Sequence, residues 1–374
     1  MSVVLWLLGG WLVLGVIVDA GLYVLQRRYL AAAAPDPAAH AEGERRASQR
    51  LAGHGRETAL ALLALVFAWG AGLLSGTLGP GLVALCLALA VAGDQLLRAF
   101  WPMGRQAQNR LAALDAQARQ VRLPLLLGLA LWCVALISPD VLTPWLWAIG
   151  WLLLAGAWRV YRSVSQPGAV AGAALTDSGV RKRLRGLAEA CGRPRCVITV
   201  ADQLPLAAQV GARVEARGRG GQIVLTQGLV DRLSSSAIVA VVAHEFGHAC
   251  LGHLTRFDAM RAALVAVYIV LVASGLQAAQ PETIAPVALW LIYVTIGPAA
   301  WAVRPALNGY RRGCEFAADA FAAGHVGAAL LADTLADLFS INAHRAGLHP
   351  WYRVFNATHP ADRARLDRLR ERPS

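Results

Sequence analysis

The sequence has few charged residues and almost no lysine. Charged side chains make up 16% of the 374 positions, Lys182 is the single lysine, and hydrophobic residues make up 57%. A soluble protein usually carries about 25% charged residues, because its surface must be solvated. The shortage of charge therefore excludes an ordinary soluble enzyme and indicates an integral membrane protein.

Acidic residues are scarcer than basic ones, with 23 Asp and Glu against 35 Lys and Arg and a formal net charge of +12. Such a balance can attract nucleic acid, but here the arginines stand in blocks between apolar segments. Membrane topology imposes this arrangement, because cytoplasmic loops carry the excess of basic residues. We therefore predict no nucleic-acid partner and a lipid bilayer as the surroundings.

Cysteine pairs with the spacing of a metal site are also missing. Of the six cysteines, two lie in apolar segments and two bracket a turn, while Cys250 and Cys314 are isolated. We predict that they are small buried hydrophobes in a reducing compartment. Cys250 and Cys314 flank the site described below and stay open as thiol ligands, beside the oxygen ligand that is favoured there.

Long apolar segments dominate both ends of the chain. A helix needs about 20 residues to cross a bilayer. The first segment has no basic residue before it and no cleavage site after it, so we predict an uncleaved anchor. Asp19 within it indicates either a functional carboxylate or the partner of an arginine. The seven predicted spans are 3–25, 58–75, 80–97, 123–138, 143–160, 261–279 and 284–303.

The arginines fall on one side of these seven spans. The positive-inside rule then places the N-terminus outside and the C-terminal tail in the cytoplasm. The polar residues 27–57 are predicted to form a cytoplasmic loop. Heavy use of arginine, alanine and leucine is typical of a bacterium of high GC content, so we predict a bacterial inner membrane.

The C-terminal half contains a region of different character. The run Thr176-Asp177-Ser178 offers an N-cap for a basic amphipathic helix that ends at Gly192. Residues 196–201 and 222–226 are predicted strands around a Gly- and Arg-rich loop. A helix is predicted from Ser234 to Gly252, and it carries the main motif of the chain.

That motif is His244-Glu245-Phe246-Gly247-His248. On a helix, histidines at i and i+4 lie on one face, so both rings can reach one metal ion. Glu245 projects beside them toward the open position of the metal, where a general base is needed. The pattern predicts a zinc hydrolase that requires a third protein ligand.

A second helix pattern offers that ligand. Glu315 and Asp319 stand at i and i+4 among small residues, which is unusual for a solvated acidic face. Glu315 is predicted to complete a His-His-Glu site, and Asp319 is placed to accept the second ring proton of a ligand histidine. The two ligand helices are joined by the apolar spans 261–279 and 284–303. We therefore expect the zinc close to the cytoplasmic bilayer surface and a membrane-associated polypeptide as substrate.

Three motifs in this order resemble those of the integral-membrane gluzincin peptidases that include the type I CAAX prenyl proteases and the HtpX-like proteases. They are the motif at His244, Arg312 followed by Glu315, Phe316 and Asp319, and a late His359-Pro360 pair followed by Arg365. The resemblance covers nearly the whole chain. The five predicted spans before the peptidase region favour the CAAX protease branch, because HtpX-like chains are expected to have fewer.

The resemblance implies roles for individual residues. His244, His248 and Glu315 would bind one zinc ion, Glu245 would be the general base, and Asp319 would orient His244. His359 would donate to the substrate or to the developing oxyanion, and Arg365 would stabilise the cytoplasmic wall of the site. A capped turn and a surface salt bridge are the alternatives for these last two residues.

Two positions test the limits of the resemblance. Family members carry an Asn-Ala pair before the motif helix, whereas this chain has Ala208-Gln209-Val210-Gly211, which puts the strand contacts to substrate in doubt. His253 does not have the spacing of a third histidine ligand and is predicted to be a structural residue at a helix end.

The predicted fold is mainly α and integral to the membrane, with about seven transmembrane helices and a gluzincin-type peptidase domain that carries a small β-sheet. The predicted domains are residues 1–162, with five spans, and residues 163–374, the peptidase with two more. The predicted function is zinc-dependent endopeptidase activity, with substrate received as an added strand near Ile223–Thr226. CAAX processing and membrane-protein quality control both stay open, as does the oligomeric state. A zinc-stabilised scaffold without catalysis is the alternative, although it has no need of Glu245.

Overall fold

The computed structural model describes residues 3–33, 37–70, 144–164, 172–201, 210–217, 220–279, 285–341 and 347–371. The chain divides into two compact units, each made of three segments. The first comprises Met1–Val18, Ala52–Trp151 and Leu264–Ala300, and the second comprises Asp19–Leu51, Leu152–Ala263 and Trp301–Ser374. The described structure is mainly helical with one small mixed sheet.

Long apolar helices build the first unit. Its segments come from α1 (Val3–Ala33), α2 (Pro37–Gly70), α3 (Pro144–Val164), α7 (His253–Ala279) and α8 (Ala285–Ala299). Leucines such as Leu5, Leu12 and Leu276 are fully buried between these helices. Trp6 and Leu7 on the outside are 67% and 68% exposed. Apolar residues on both the inside and the outside are typical of helices in lipid.

Two described helices are long and apolar enough to cross a membrane, namely Val3–Ala32 and His253–Ala279. They contain the predicted spans 3–25 and 261–279. A shorter apolar helical stretch, Leu291–Ala302, falls in the predicted span 284–303. The predicted spans 80–97 and 123–138 lie outside the described residues, and 58–75 and 143–160 lie there in part. Seven spans and the domain boundary at residue 162 stay predictions.

The loop predicted at residues 27–57 is wrong for its described part. α1 continues to Ala33 and α2 begins at Pro37, so residues 27–33 and 37–57 are helical. Alanine, arginine and glutamate are good helix formers, and proline is tolerated at the first helical position. Polarity alone therefore did not identify a loop.

The second unit contains the sheet, whose strand order is β1-β2-β4-β3. Strand β2 (Arg195–Ala201) pairs with β4 (Gly220–Thr226) in parallel. The two outer strands, β1 (Ala173–Ala174) and β3 (Ala212–Arg217), pair antiparallel to their neighbours. The predicted strands are thus confirmed. The prediction that substrate adds next to Ile223–Thr226 is wrong, because β4 is paired on both sides.

The helices of the second unit pack around this sheet. They are α4 (Ser178–Ala190), α5 (Gln227–Arg232), α6 (Ser235–Cys250), α9 (Arg304–Val326), α10 (Ala328–Ile341), α11 (Pro350–Asn356) and α12 (Asp362–Arg370). The motif helix α6 begins where predicted, since the side chain of Ser234 accepts a hydrogen bond from the backbone of Ala237. Asp177, the middle residue of the predicted capping run, caps α4 in the same way. Nearly every residue of α6 from Ala237 to Gly247 is buried, which fixes the helix that carries the motif.

Candidate metal centre

The motif helix α6 and the acidic helix α9 bring three potential ligands together. The Nε2 atoms of His244 and His248 are 3.2 Å apart. Each lies 3.5 Å from an oxygen of the Glu315 carboxylate. Zinc with bonds of about 2.0–2.1 Å in tetrahedral geometry separates its donor atoms by about 3.3–3.4 Å. The three donors therefore have the chemistry and the spacing of a zinc site.

A close contact between the two helices makes this spacing possible. Gly247 of α6 faces Ala318 of α9, and a Cβ atom on Gly247 would lie only 2.9 Å from the Cα of Ala318. A larger residue at either position would separate the helices. The small residues that surround Glu315 in the sequence thus let its carboxylate reach the histidines.

Behind His244 lies a buried ion-pair network. The Nδ1 atom of His244 is 2.9 Å from Asp319. Arg365 of α12 donates from Nε and Nη2 to the two oxygens of that carboxylate at 2.8 and 2.6 Å, and its Nη1 lies 3.5 Å from Glu315. Only 6% of Arg365 is exposed. Arg365 is therefore a buried cation next to the potential ligands, and the alternative of a surface salt bridge is wrong.

This network sets the charges of the site. Burial opposes a charged imidazole at His244, but the hydrogen bonds to Asp319 and Glu315 raise its pKa to about 9. Burial likewise opposes ionisation of Glu315 and Asp319. Hydrogen bonds from His244 and His359 nevertheless hold the pKa of the Glu315 carboxyl below its usual range. Hydrogen bonds from His244 and Arg365 do the same for Asp319. Burial and the charge of His244 lower the pKa of His248 to about 4.

Glu245 differs from the other carboxylates of the site. Its carboxylate makes no hydrogen bond in the part of the chain that the structure describes. Burial raises the pKa of its carboxyl, and the nearby negative charge of Glu315 adds to the effect. A carboxylate with a raised pKa is a better proton acceptor near neutral pH.

His359 approaches the ligands from the segment between α11 and α12. Its Nδ1 atom is 3.1 Å from Glu315, while its side chain is 51% exposed. Arg312 of α9 holds this segment by donating to three backbone carbonyls, the shortest bond being 2.8 Å to Ala357. Arg312, the first residue of the second motif, therefore fixes the backbone next to His359.

His253 is the contact that sequence reasoning missed. It is the first residue of α7, and its Nδ1 atom lies 3.0 Å from the Nδ1 atom of His248. The spacing of His253 from the motif does not match that of a third histidine ligand. A spacing of five residues from a ligand histidine was the available signal, but only the turn geometry shows that the two rings meet.

Several other residues singled out in the sequence are not among the three potential ligands. Among the described residues, neither Cys250 nor Cys314 belongs to the potential metal-binding group. Asp19 forms a 2.6 Å ion pair with Arg304, which favours the pairing interpretation of that carboxylate. Gln209 lies outside the described residues.

Comparisons with known proteins agree with this site. The model of Peptidase family M48 matches residues 176–373, which include every residue of the site. A search of curated proteins finds no match. Among solved structures, the crystal structure of Ste24p from S. mikatae matches with a TM-score of 0.71 and 16% identity, and the match covers 99% of each chain. At this identity, the match shows that the two chains share a fold.

Proposed function

The chain belongs to peptidase family M48, and on that premise we propose that it is an integral-membrane zinc endopeptidase centred on His244, His248 and Glu315. The observation that carries this proposal is the separation of 3.2–3.5 Å between the three donor groups. Family membership makes the protein a zinc metallopeptidase. The assignment of each residue and the nature of the substrate are our proposal.

Each side chain then has a chemical task. Zinc held by these ligands would supply Lewis acidity, which would polarise the scissile carbonyl and acidify a water. Glu245 is the proposed general base, which would take a proton from the attacking water and deliver it to the leaving amine, a task for which its raised pKa is suited. Asp319 fixes the Nδ1 proton of His244, and Arg365 supplies a positive charge that compensates part of the charge of the two buried carboxylates.

His359 is placed to act on the substrate. Its side chain is half exposed and reaches the edge of the ligand set from outside the two ligand helices. From this position a ring N–H can donate to the substrate carbonyl or to the oxyanion that develops on it. The hydrogen bonds from Arg312 to the backbone around Ala357 keep the ring in reach.

The substrate is proposed to bind along β3 instead of β4. In the described sheet, β3 is an outer strand that pairs on one side only, and it contacts the motif helix α6. An extended peptide added to this edge would be held by main-chain hydrogen bonds beside the metal ligands. This mode of binding predicts weak selectivity for side chains.

The cellular role follows from the apolar helices. Two helices suited to a membrane indicate a membrane-associated polypeptide as substrate. We propose a bacterial inner-membrane enzyme with the site on the cytoplasmic side, in accord with the arginine-rich segments. Quality control of membrane proteins and CAAX-type processing both fit such a site.

The proposal is tested by replacing Glu245 with Gln in the full-length chain. The variant should keep about one zinc per chain and lose peptide cleavage by about 100- to 10,000-fold, because the base is gone but the ligands are intact. Zinc content and the cleavage rate of a membrane-inserted polypeptide are measured side by side. Glu189→Gln on the exposed face of α4 is the control and should cleave normally. Undiminished proteolysis by Glu245→Gln would refute the proposal.

The same variant can identify the substrate. A chain that binds polypeptides without cleaving them should retain its substrates when membranes are solubilised. Proteins that co-purify with Glu245→Gln, but not with the wild type, are the candidates. Prenylated C-terminal peptides among them would indicate CAAX processing, and unfolded membrane proteins would indicate quality control.

A further inference from the structure

His253 is a buried side chain next to the ligand set that the mechanism above does not use. Only 8% of the residue is exposed, and its ring meets that of His248 edge to face at a centroid distance of 5.1 Å. The two Nδ1 atoms are 3.0 Å apart. The other nitrogen of His248 faces His244 and Glu315. The ring of His248 is therefore held from both sides.

This geometry decides which nitrogen carries each proton. A ring nitrogen that binds a metal does so through its lone pair, so Nε2 of His248 carries no proton and Nδ1 does. The Nδ1 of His248 is then the donor to His253. His253 must accept through its own Nδ1 and keep its proton on Nε2.

We propose that His253 is a positioning residue for zinc binding, which fixes the tautomer and the orientation of His248 through this hydrogen bond. The proposal rests on the zinc site proposed above. It gives His248 the support that Asp319 gives His244. Ligand histidines generally donate their second N–H to a carboxylate, a carbonyl or water. Here the acceptor is another imidazole.

The chain between the two histidines explains how they meet. Helix α6 ends at Cys250, and α7 begins at His253 after the turn Leu251–Gly252. Gly252 has a φ of +65°, a backbone conformation that favours glycine. His253 thus occupies the first position of α7, and the turn brings its ring within hydrogen-bond distance of the ring of His248.

This position ties the metal site to a candidate membrane span. α7 is one of the two described helices that are long and apolar enough to cross a bilayer, and His253 is its first residue. The orientation of a zinc ligand therefore depends on where this helix begins. The same arrangement explains why the histidine at the start of this helix is buried.

The test compares variants at position 253 that keep or remove the acceptor, in the full-length protein. His253→Asn places a carbonyl oxygen near the position of Nδ1, whereas His253→Phe fills the space without an acceptor. His325→Phe, an exposed histidine of α9, is the matched control. Zinc affinity is measured by competition with a chelator, and the absorption spectrum of the Co²⁺-substituted protein reports ligand geometry.

We expect His253→Phe to bind zinc about 10- to 100-fold more weakly and to change the Co²⁺ spectrum. His253→Asn and His325→Phe should resemble the wild type in both measurements. Equal zinc affinity and equal spectra for His253→Phe and His253→Asn would overturn the proposal, because a packing role needs no acceptor. If His253→Phe does not fold, His253→Leu and His253→Asp form a second pair that is judged by the same criterion.

The outcome also separates this inference from the proposed function. A wild-type protein that binds no zinc refutes the zinc site itself. A wild-type protein that binds zinc, together with a His253→Phe variant of unchanged affinity, refutes only the role of His253.

Discussion

At the scale of single residues, the site depends on one buried cation between two carboxylates. Arg365 touches Asp319 at 2.6 and 2.8 Å and lies 3.5 Å from Glu315. Burial of three charged groups is costly unless each is paired and hydrogen-bonded. Arg365 therefore allows both Glu315 and Asp319 to be ionised while they are buried. Asp319 can then accept the hydrogen bond that orients His244.

Replacing Arg365 by Met should destabilise the protein strongly. Two buried carboxylates would lose their cation, and breaking a buried pair costs about 3–5 kcal/mol. We expect the melting temperature of the metal-free protein to fall by on the order of 5–10 °C.

Arg363→Met on the same helix is the control for this experiment. Arg363 faces Asp367 at 3.6 Å, and both side chains are exposed, at 92% and 53%. A pair of this kind contributes about 1 kcal/mol or less. Equal melting temperatures of the two variants would contradict the role of Arg365.

Zinc affinity should rise with pH because of His244. Its pKa of about 9 means that the ring is protonated at neutral pH in the metal-free protein, whereas a ligand must be neutral. The apparent affinity should therefore increase about tenfold per pH unit between pH 7 and 8 and level off above about pH 9. His248, with a pKa of about 4, adds no slope in this range. Competition with a chelator at each pH measures the effect.

The stability of the metal-free protein should change in the opposite direction. The pKa of His244 is raised above its ordinary value of 6.5, so the charged ring stabilises the fold. That contribution is complete below about pH 6.5 and is lost as the pH rises through about 9.

Asp319→Asn removes the main partner of the charged His244 ring, so this variant should show a weaker dependence of zinc affinity on pH. An affinity that is constant from pH 7 to 8 in the wild type would contradict this account.

Spacing along the chain was sufficient to predict some residues of the site and not others. Two pairs of residues spaced by four positions, one pair on each helix, come together in the structure. They are His244 with His248 and Glu315 with Asp319. The contacts of Arg365 and His253 depend on how α12 and the turn at Gly252 pack. No local pattern encodes that packing, so their places could not be derived from spacing.

At the scale of elements, the crossing of α6 and α9 determines the distances between the potential metal ligands. Gly247 and Ala318 allow backbone contact at the crossing, and the potential ligands lie within one helical turn of it. Since both helices are rigid, a change in their separation moves Glu315 away from both histidines.

Gly247→Ala should therefore weaken zinc binding although it changes no ligand. Its Cβ would approach the backbone of Ala318 to 2.9 Å, which forces the helices apart. Overpacking of this kind costs about 1–3 kcal/mol. We expect a lower zinc affinity together with a lower melting temperature.

Gly324→Ala in α9 is the matched control, because a Cβ there meets nothing within 4 Å. Replacing a glycine inside a helix by alanine stabilises by about 0.5–1 kcal/mol. If Gly247→Ala also binds zinc like the wild type, the close crossing is not what determines the site.

Element predictions succeeded where burial and capping agree. The motif helix has a capping serine and an apolar run, and the two central strands are short apolar segments. The outer strand β3 was missed because its charged residues, Arg213, Glu215 and Arg217, made it resemble the Gly- and Arg-rich loop in which it was placed. Its backbone hydrogen bonds with β4 make it a strand, although its composition does not indicate one.

At the scale of the whole molecule, the distribution of charge makes a prediction that no single helix makes. Arginine is present in the segments 26–57, 98–122, 158–232 and 304–372, but not in the short connections 76–79, 138–142 and 280–284. Basic residues are retained on the cytoplasmic side during insertion. This asymmetry predicts an odd number of spans with the N-terminus outside and both the metal ligands and the C-terminus in the cytoplasm.

Reporter fusions in a bacterial host test this topology. Alkaline phosphatase, which is active only outside the cytoplasm, should be active when fused after Glu282 and inactive when fused after Arg370. A fluorescent protein that folds only in the cytoplasm should give the reverse pattern at the same two sites. Because the tail after Trp301 carries Glu315, Asp319 and His359, phosphatase activity after Arg370 would place the metal centre outside. That result would exclude a site on the cytoplasmic side while leaving the zinc chemistry intact.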